Sequence, residues 1–259
     1  MELNEYAEAF KTVRVSRDGQ GVLLLELHSR GESMTWNALA HRELPALLSA
    51  VRRDDANRAV ILTGVGESFI RTPEGYGEVY RSGKVKPSDW ERGTWEAIGM
   101  LKGLLDLQVP VIAALNGPVT GHAELPLLAD IVLCTEDTYF QDAAHLPNGL
   151  VPGDGVQIIW PMLLGPNRAR YFLLCSEKIA AHEARSLGLV AEVVPRDAML
   201  ARARELAALL LTQDPLVLRY TRELLLRPLR RAFQEELNLG LAVEAYVSIS
   251  QFPAFRGEP

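Results

Sequence analysis

The sequence predicts a mixed α/β fold, rich in strands over its first two-thirds and mostly helical over its last third. Two patterns lead there. Short aliphatic and β-branched runs of strand length alternate with segments of helical apolar spacing, and from Arg168 onward helical spacing takes over. The length, 259 residues, suits one large domain or a core carrying a helical appendage. The expected division is a core over residues 1–195 and a helical region over 196–259.

Residues 13–15 and 21–28 read as two strands joined by the turn Arg17-Asp18-Gly19-Gln20. Residues 36–51 carry apolar side chains at helical spacing, and 60–63 form a short β-branched strand that ends at the glycine turn Gly64-Val65-Gly66. Residues 70–92 mix Gly, Pro and charge with the aromatics Tyr76, Tyr80 and Trp90, which predicts a long surface excursion or lid. A helix follows to about Leu107. Pro110-Val111-Ile112-Ala113-Ala114-Leu115 is a buried strand ending in Asn116-Gly117-Pro118. Residues 123–128 make a short apolar helix and 130–135 a strand, and Pro152-Gly153-Asp154-Gly155 opens a helix through Trp160. One strand, over 189–194, interrupts the last third, which closes with helices over 197–211, 215–226 and 229–248. Their aliphatic faces, with Leu206, Leu209, Leu210 and Leu211 close together, either cover the core or pack in part on another subunit.

Composition narrows the function. At 48% hydrophobic and 23% charged the chain is ordinary globular protein, and a net charge of -6 argues against nucleic acid as a partner. Cys134 and Cys175 sit among aliphatic and aromatic neighbours, so they are expected to be buried thiols; neither has zinc-motif spacing. Met1-Glu2-Leu3-Asn4-Glu5 lacks a basic-then-apolar leader, and no apolar run approaches the ~20 residues of a membrane span. A cytoplasmic, membrane-free location is the expectation.

Several motifs stand in order along the chain. They are Trp36-Asn37-Ala38-Leu39, then Ala59-Val60-Ile61-Leu62-Thr63-Gly64-x-Gly66-x-x-Phe69, then Pro110 through Gly117. Glu124-Leu125 with Asp130-Ile131 and Asn148-Gly149-Leu150-Val151-Pro152-Gly153 complete the set. Gly64-x-Gly66 is no dinucleotide fingerprint, because the third glycine is absent. Together these segments resemble the crotonase (enoyl-CoA hydratase/isomerase) superfamily over nearly the full length. The resemblance implies an α/β crotonase-like spiral of ββα units with a C-terminal helical oligomerisation region. It also implies a homo-oligomer, either a trimer or a dimer of trimers.

The departures from that family carry the functional reading. Coenzyme A-binding members usually have a basic residue three positions before the early Asn, where this chain has Met34. They hold the thioester oxygen in an oxyanion hole of two backbone N–H groups. One half is an Ala-Gly-Ala-Asp-like turn, replaced here by Ile70-Arg71-Thr72-Pro73-Glu74, in which Pro73 has no N–H. The other half is glycine-rich and reads Gly121-His122-Ala123 here. Hydratases keep two acids at the site. The first survives as Glu124, with a role in chemistry, packing or pocket polarity left open; the second, four positions before Gly149, has become His145.

Near neutral pH an imidazole is a competent general base toward water, and a carboxylate on its far nitrogen is the expected orienter. Asp154, nine residues on, is the candidate, with a helix N-cap as its alternative reading. His122 reads either as a polar residue at a helix start or as a donor to a ketone oxygen. The remaining histidines, His28, His41 and His182, read as surface. The run from Phe140 through His145 to Gly155 resembles the branch of 6-oxocamphor hydrolase and related β-diketone hydrolases, as do Gly165-Pro166-Asn167-Arg168 and Leu239-Gly240-Leu241-Ala242-x-Glu244-Ala245. That resemblance implies Trp36 and Glu244 as further site residues; the alternative for Glu244 is a solvated helix face. The expected chemistry is reverse Claisen cleavage of a cyclic or bicyclic β-diketone to a keto acid, with no metal or cofactor. An acyl-CoA hydratase or isomerase with a modified site, or a non-catalytic protein of the same fold, are the competing readings.

Overall fold

The computed structural model describes residues 2–82 and 85–250. In chain order the elements are α1 (Leu3–Tyr6), β1 (Val13–Arg17), β2 (Val22–Leu27), α2 (Ala38–Arg52), β3 (Ala59–Gly64), α3 (Tyr76–Arg81), α4 (Pro87–Leu105) and β4 (Val111–Leu115). A 3₁₀ turn over Leu125–Leu128 leads to β5 (Ile131–Cys134) and β6 (Tyr139–Phe140). A second, over Leu146–Asn148, leads to α5 (Val156–Leu164) and α6 (Pro166–Cys175). The chain ends with β7 (Ile179–Ala180), α7 (Ala181–Ser186), β8 (Glu192–Val193), α8 (Met199–Leu210) and α9 (Pro215–Ser250).

The main sheet runs β1-β2-β3-β4-β5-β8; β1 pairs antiparallel with β2 and every other pairing is parallel. Its central strands are continuous apolar runs because both faces are covered. The register puts Leu25, Leu62, Ala113 and Val132 in one row, facing the larger core with α2 and α4. The neighbouring row, Leu24, Ile61, Ile112 and Ile131, points the other way, onto Met199, Ala203 and Ala207 of α8. Each such aliphatic side chain contributes about 1.5–3 kcal/mol on full burial.

Beyond their C-terminal ends the strands feed a second, sparser ladder. Thr35 pairs with Arg71, Ile70 with Val119, and Val119 with Phe140, all parallel. The segments leaving β2, β3, β4 and β5 therefore stack again one step further on, which is the spiral that the family resemblance implies. Trp36, Thr72, Gly121 and Asp142 each lie within two residues of a rung of this ladder. Positions far apart in sequence are thereby gathered at one end of the sheet.

Two expectations need correction. The helices expected over 215–226 and 229–248 are one helix, α9, running through Pro228. Proline in a helix interior removes one hydrogen bond and costs about 3 kcal/mol. Here α9 is clamped on both sides of the break: Arg222 donates to the Leu105 carbonyl and to Asp130, and Arg230 donates to the same Leu105 carbonyl. These arginines satisfy carbonyls at the C-terminal end of α4 that its own helix leaves unpaired. The excursion over 70–92 carries α3 and the start of α4. Cys134 is a buried thiol in β5, but Cys175 ends α6 on the outward face beside exposed Tyr171 and Leu174. The region after residue 196 shares the core: Phe233, Leu237 and Leu241 of α9 pack in the same cluster as α2 and α4. Residues 251–259 of the expected helical region lie outside the described residues.

Candidate active site

Trp36 is placed by its own backbone bond and by the helix cap that follows it. Its N–H donates to the Arg71 carbonyl at 2.9 Å across the second ladder. Asn37 caps α2, its Oδ1 accepting from the N–H groups of Leu39 and Ala40 at 3.0 and 3.1 Å. The indole, 5% exposed, lies with its centroid 4.1 Å from the His122 ring.

His122 sits in a left-handed backbone conformation, φ 44°, a region that a non-glycine residue visits only at a cost of about 1–3 kcal/mol. Its Nδ1 lies 2.7 Å from Glu124 Oε1 and 3.5 Å from Asp154 Oδ2. Burial alone would lower its pKa; the charge and hydrogen bond of Glu124 outweigh that and raise it. Glu124 is wholly buried, and desolvation together with the Asp154 charge raises its carboxyl. Glu124 thus serves as the partner of His122.

His145 is held from both sides. Asp142 Oδ1 lies 2.8 Å from Nδ1, Asp154 Oδ1 lies 3.4 Å from Nε2, and Glu244 Oε1 is 4.0 Å from the same nitrogen. The carboxylate on the far nitrogen is therefore Asp142, not Asp154, which faces the cavity side of the ring. Burial lowers the imidazole pKa, but Asp154 and then Asp142 outweigh it and hold the ring well above the usual histidine value. Asp154 does not cap α5: Gly155 occupies the cap position, its N–H donating to Gln157 Oε1. Despite burial, the charge on His145 keeps the Asp154 carboxyl well below the ordinary aspartate range.

Glu244 reaches the site because α9 comes unusually close to the turn that carries Asp154. A Cβ on Gly153 would lie 2.2 Å from the Gly240 carbonyl oxygen, and one on Gly240 would lie 2.1 Å from Gln157 Nε2. One helical turn beyond Gly240, Glu244 is 7% exposed, so the solvated-face reading does not hold. Desolvation, reinforced by Asp154, pushes its carboxyl up to about 8.

Trp36, His122, Asp154, Glu244 and Leu241 line one cavity of about 1210 Å³, roofed by Tyr76 and Tyr80. His145, 3% exposed, lies behind Asp154. The same cavity is lined by His41, expected at the surface; its Nδ1 is 2.9 Å from Glu96 Oε2 and its ring 5.8 Å from Trp36. Sequence reasoning missed His41 and Asp142. For Asp142 the signal was present, an acid three residues before the histidine; for His41, helical spacing did not separate a cavity face from a solvent face. His28, half-buried, and His182, exposed, lie outside the cavity lining.

His122, Glu124 and Asp154 offer ligand atoms within 4.8 Å of one another. Glu124 Oε1 engages His122 Nδ1 and Asp154 Oδ1 lies 3.4 Å from His145 Nε2, while Glu124 Oε2 is buried without a hydrogen-bond partner. The backbone donors of the altered turn are also committed. Arg71 N–H donates to the Met34 carbonyl at 2.8 Å, Thr72 N–H to Thr120 Oγ1 at 3.1 Å, and Pro73 has none. What remains in the cavity is a set of side-chain acids and donors beside an apolar wall.

The parallel sheet and the ladder stacked beyond it define a crotonase-type enzyme. The chain belongs to the enoyl-CoA hydratase/isomerase family, whose model matches residues 17–250. Among solved structures it is similar to a β-diketone hydrolase from the cyanobacterium Anabaena sp. PCC 7120 bound to (S)-3-oxocyclohexyl acetic acid. That likeness is 40% identity over 94% of this chain and 96% of that one, with a TM-score of 0.89. An enoyl-CoA hydratase/isomerase from Mycobacterium paratuberculosis is 27% identical over 96% and 97% of the two chains, with a TM-score of 0.85. Among curated relatives, the carnitinyl-CoA dehydratase of Citrobacter koseri is 34% identical over 177 residues, 66% of this chain and 65% of that protein.

Proposed function

We propose that the enzyme hydrolyses a carbon–carbon bond of a cyclic or bicyclic β-diketone, giving a keto acid. One observation carries the reading: a buried histidine between two aspartates stands behind a cavity in which the turn over 71–73 offers no free backbone N–H. The 40% likeness to a β-diketone hydrolase supports it. That protein's ligand, (S)-3-oxocyclohexyl acetic acid, is itself a keto acid. Formal loss of water between its carboxyl group and the ring carbon beside the ketone, across the ring from the side chain, closes bicyclo[2.2.2]octane-2,6-dione. A bicyclic 1,3-dione of that size is the substrate class to test.

Water adds to one carbonyl, giving a tetrahedral alkoxide. Its collapse breaks the bond to the carbon shared with the second carbonyl, and the electron pair moves onto the second carbonyl oxygen as an enolate. Protonation at carbon completes a reaction that consumes one water. His145, neutral and oriented by Asp142, takes the proton from water at Nε2, on the side that faces Asp154. His122, held by Glu124, donates to the alkoxide oxygen, as a side-chain replacement for the missing backbone donors. Glu244, protonated up to about pH 8, supplies the proton for the carbanion. Trp36 and Leu241 wall the apolar side. The exposed faces of α9, with Leu216, Tyr220, Leu224, Leu239 and Tyr246, support a homo-oligomeric assembly.

The test is a direct comparison of two substrates. Purified protein should convert bicyclo[2.2.2]octane-2,6-dione to 3-oxocyclohexyl acetic acid, followed by chromatography, and should leave crotonyl-CoA unhydrated. Hydration of the thioester without diketone turnover would show the acyl-CoA hydratase reading to be the right one.

A further inference from the structure

The cleavage develops negative charge on two oxygens in succession, first the alkoxide and then the enolate. His122 serves one of them, and the backbone N–H groups of Arg71 and Thr72 serve neither. We infer that the Tyr76 hydroxyl is the catalytic donor to the second oxygen, and that Tyr80 positions and polarises it. This rests on the β-diketone reading above.

Tyr76 and Tyr80 lie one turn apart on α3, so both project from the same face of that helix into the cavity that His122, Asp154 and Glu244 line. Tyr80 Oη donates to Tyr76 Oη at 2.8 Å. Tyr76 is thus the acceptor in the pair, and its own O–H remains to be given. A phenol whose oxygen already accepts a hydrogen bond is the stronger donor, because successive bonds polarise one another. The Tyr80 ring is fixed 5.2 Å from Tyr76 and 5.2 Å from Trp90 of α4. Burial, reinforced by the charges of Glu244 and Asp154, holds the Tyr76 phenol well above its usual pKa, so it stays a neutral donor throughout the working range.

The roof is also tied to the loop that carries His145. Asn148 Nδ2 donates to the carbonyls of Ala143 and Ala144 at 2.8 and 3.1 Å, while its Oδ1 accepts from Gly77 N–H at 2.9 Å. Arg81 adds a bond to the Asn148 carbonyl at 3.0 Å. Base and roof donor are therefore fixed in one frame, which a two-oxygen reaction needs.

The experiment combines turnover of bicyclo[2.2.2]octane-2,6-dione with ultraviolet titration of cyclohexane-1,3-dione, a probe whose enolate absorbs, read at mixing times short compared with turnover. Tyr76→Phe should lower kcat about 100- to 1,000-fold, the usual effect of losing one such donor, with KM within about threefold. It should also weaken binding of the probe enolate relative to its neutral form. Tyr80→Phe, which leaves the Tyr76 hydroxyl in place, should show a smaller fall in kcat with KM unchanged, and it carries the test should Tyr76→Phe fail to fold. Wild-type kcat in either folded variant overturns the inference. If the wild-type protein cleaves no diketone, the proposed function fails, and the probe still decides Tyr76. Identical enolate binding by wild type and Tyr76→Phe, or none by wild type, then rejects it, whereas selective loss in the variant keeps it.

Discussion

Asp142→Asn tests how His145 is held. In the structure Asp142 Oδ1 accepts from the ring at 2.8 Å, which keeps the Nδ1 proton in place and leaves Nε2 toward Asp154 and the cavity. An amide at position 142 offers an N–H as well as a carbonyl. With the Asp154 carboxylate 3.4 Å from the other nitrogen and able to accept there, the stable arrangement reverses: the amide donates to Nδ1 and the ring donates from Nε2. The basic lone pair then points away from water. General-base assistance is worth ~100- to 10,000-fold, and a ring locked in the wrong tautomer loses most of it. The fall should appear in kcat, with KM nearly unchanged, since Asp142 does not line the cavity. Keto acid production under saturating diketone is the assay, with the thermal midpoint as a check on folding. A folded Asp142→Asn protein with kcat within threefold of wild type would refute the orienting role.

Two further outcomes follow from the same geometry. The mechanism needs His145 neutral and Glu244 protonated, yet Asp154 and Asp142 keep the ring charged against the effect of burial, and burial lifts Glu244 to about 8. At neutral pH both protons are present and the base is blocked, so kcat should rise as pH climbs above the ordinary histidine value and one proton leaves the coupled pair, then fall when the second leaves. A maximum near 6.5, the ordinary histidine value, would contradict this. Gly153→Ala should press a methyl group against the Gly240 carbonyl, 2.2 Å away, and push α9 outward. Overpacking of this kind costs about 1–3 kcal/mol, or about 2–4 °C in Tm per kcal/mol for a chain of this size, and displaces Glu244, so Tm and kcat should fall together. Wild-type values for both would show that the close approach is not needed.

The sheet was legible because its strands are buried on both faces. Runs such as Ala59 to Thr63 and Val111 to Leu115 are apolar at every position but the last of the first, and bounded by turn residues, which leaves few other readings. The continuity of α9 was not legible. What carries the helix past Pro228 is a set of bonds from Arg222 and Arg230 to the end of α4, more than a hundred residues away. Within the site, His145, Asp154, His122, Trp36 and Glu244 were singled out as departures from, or matches to, a family pattern, and the structure brings them together. The wiring among them was not visible. Asp142 lies in a loop, where spacing implies no shared face, and Asp154 as a cap was excluded only by the dihedrals around Gly155. His41 faces the cavity because α2 packs on α4 and presents it to Glu96, a tertiary fact.

In the proposed reaction, water activated at His145 enters the product as one carboxylate oxygen. This is tested most directly by hydrolysing bicyclo[2.2.2]octane-2,6-dione in ¹⁸O-labelled water with wild-type protein and with His145→Ala, and following the keto acid by mass spectrometry. One solvent oxygen irreversibly built into the new carboxylate is expected, with at least a ~100-fold slower rate in the variant. Unlabelled carboxylate, or equal rates from the two proteins, would contradict it.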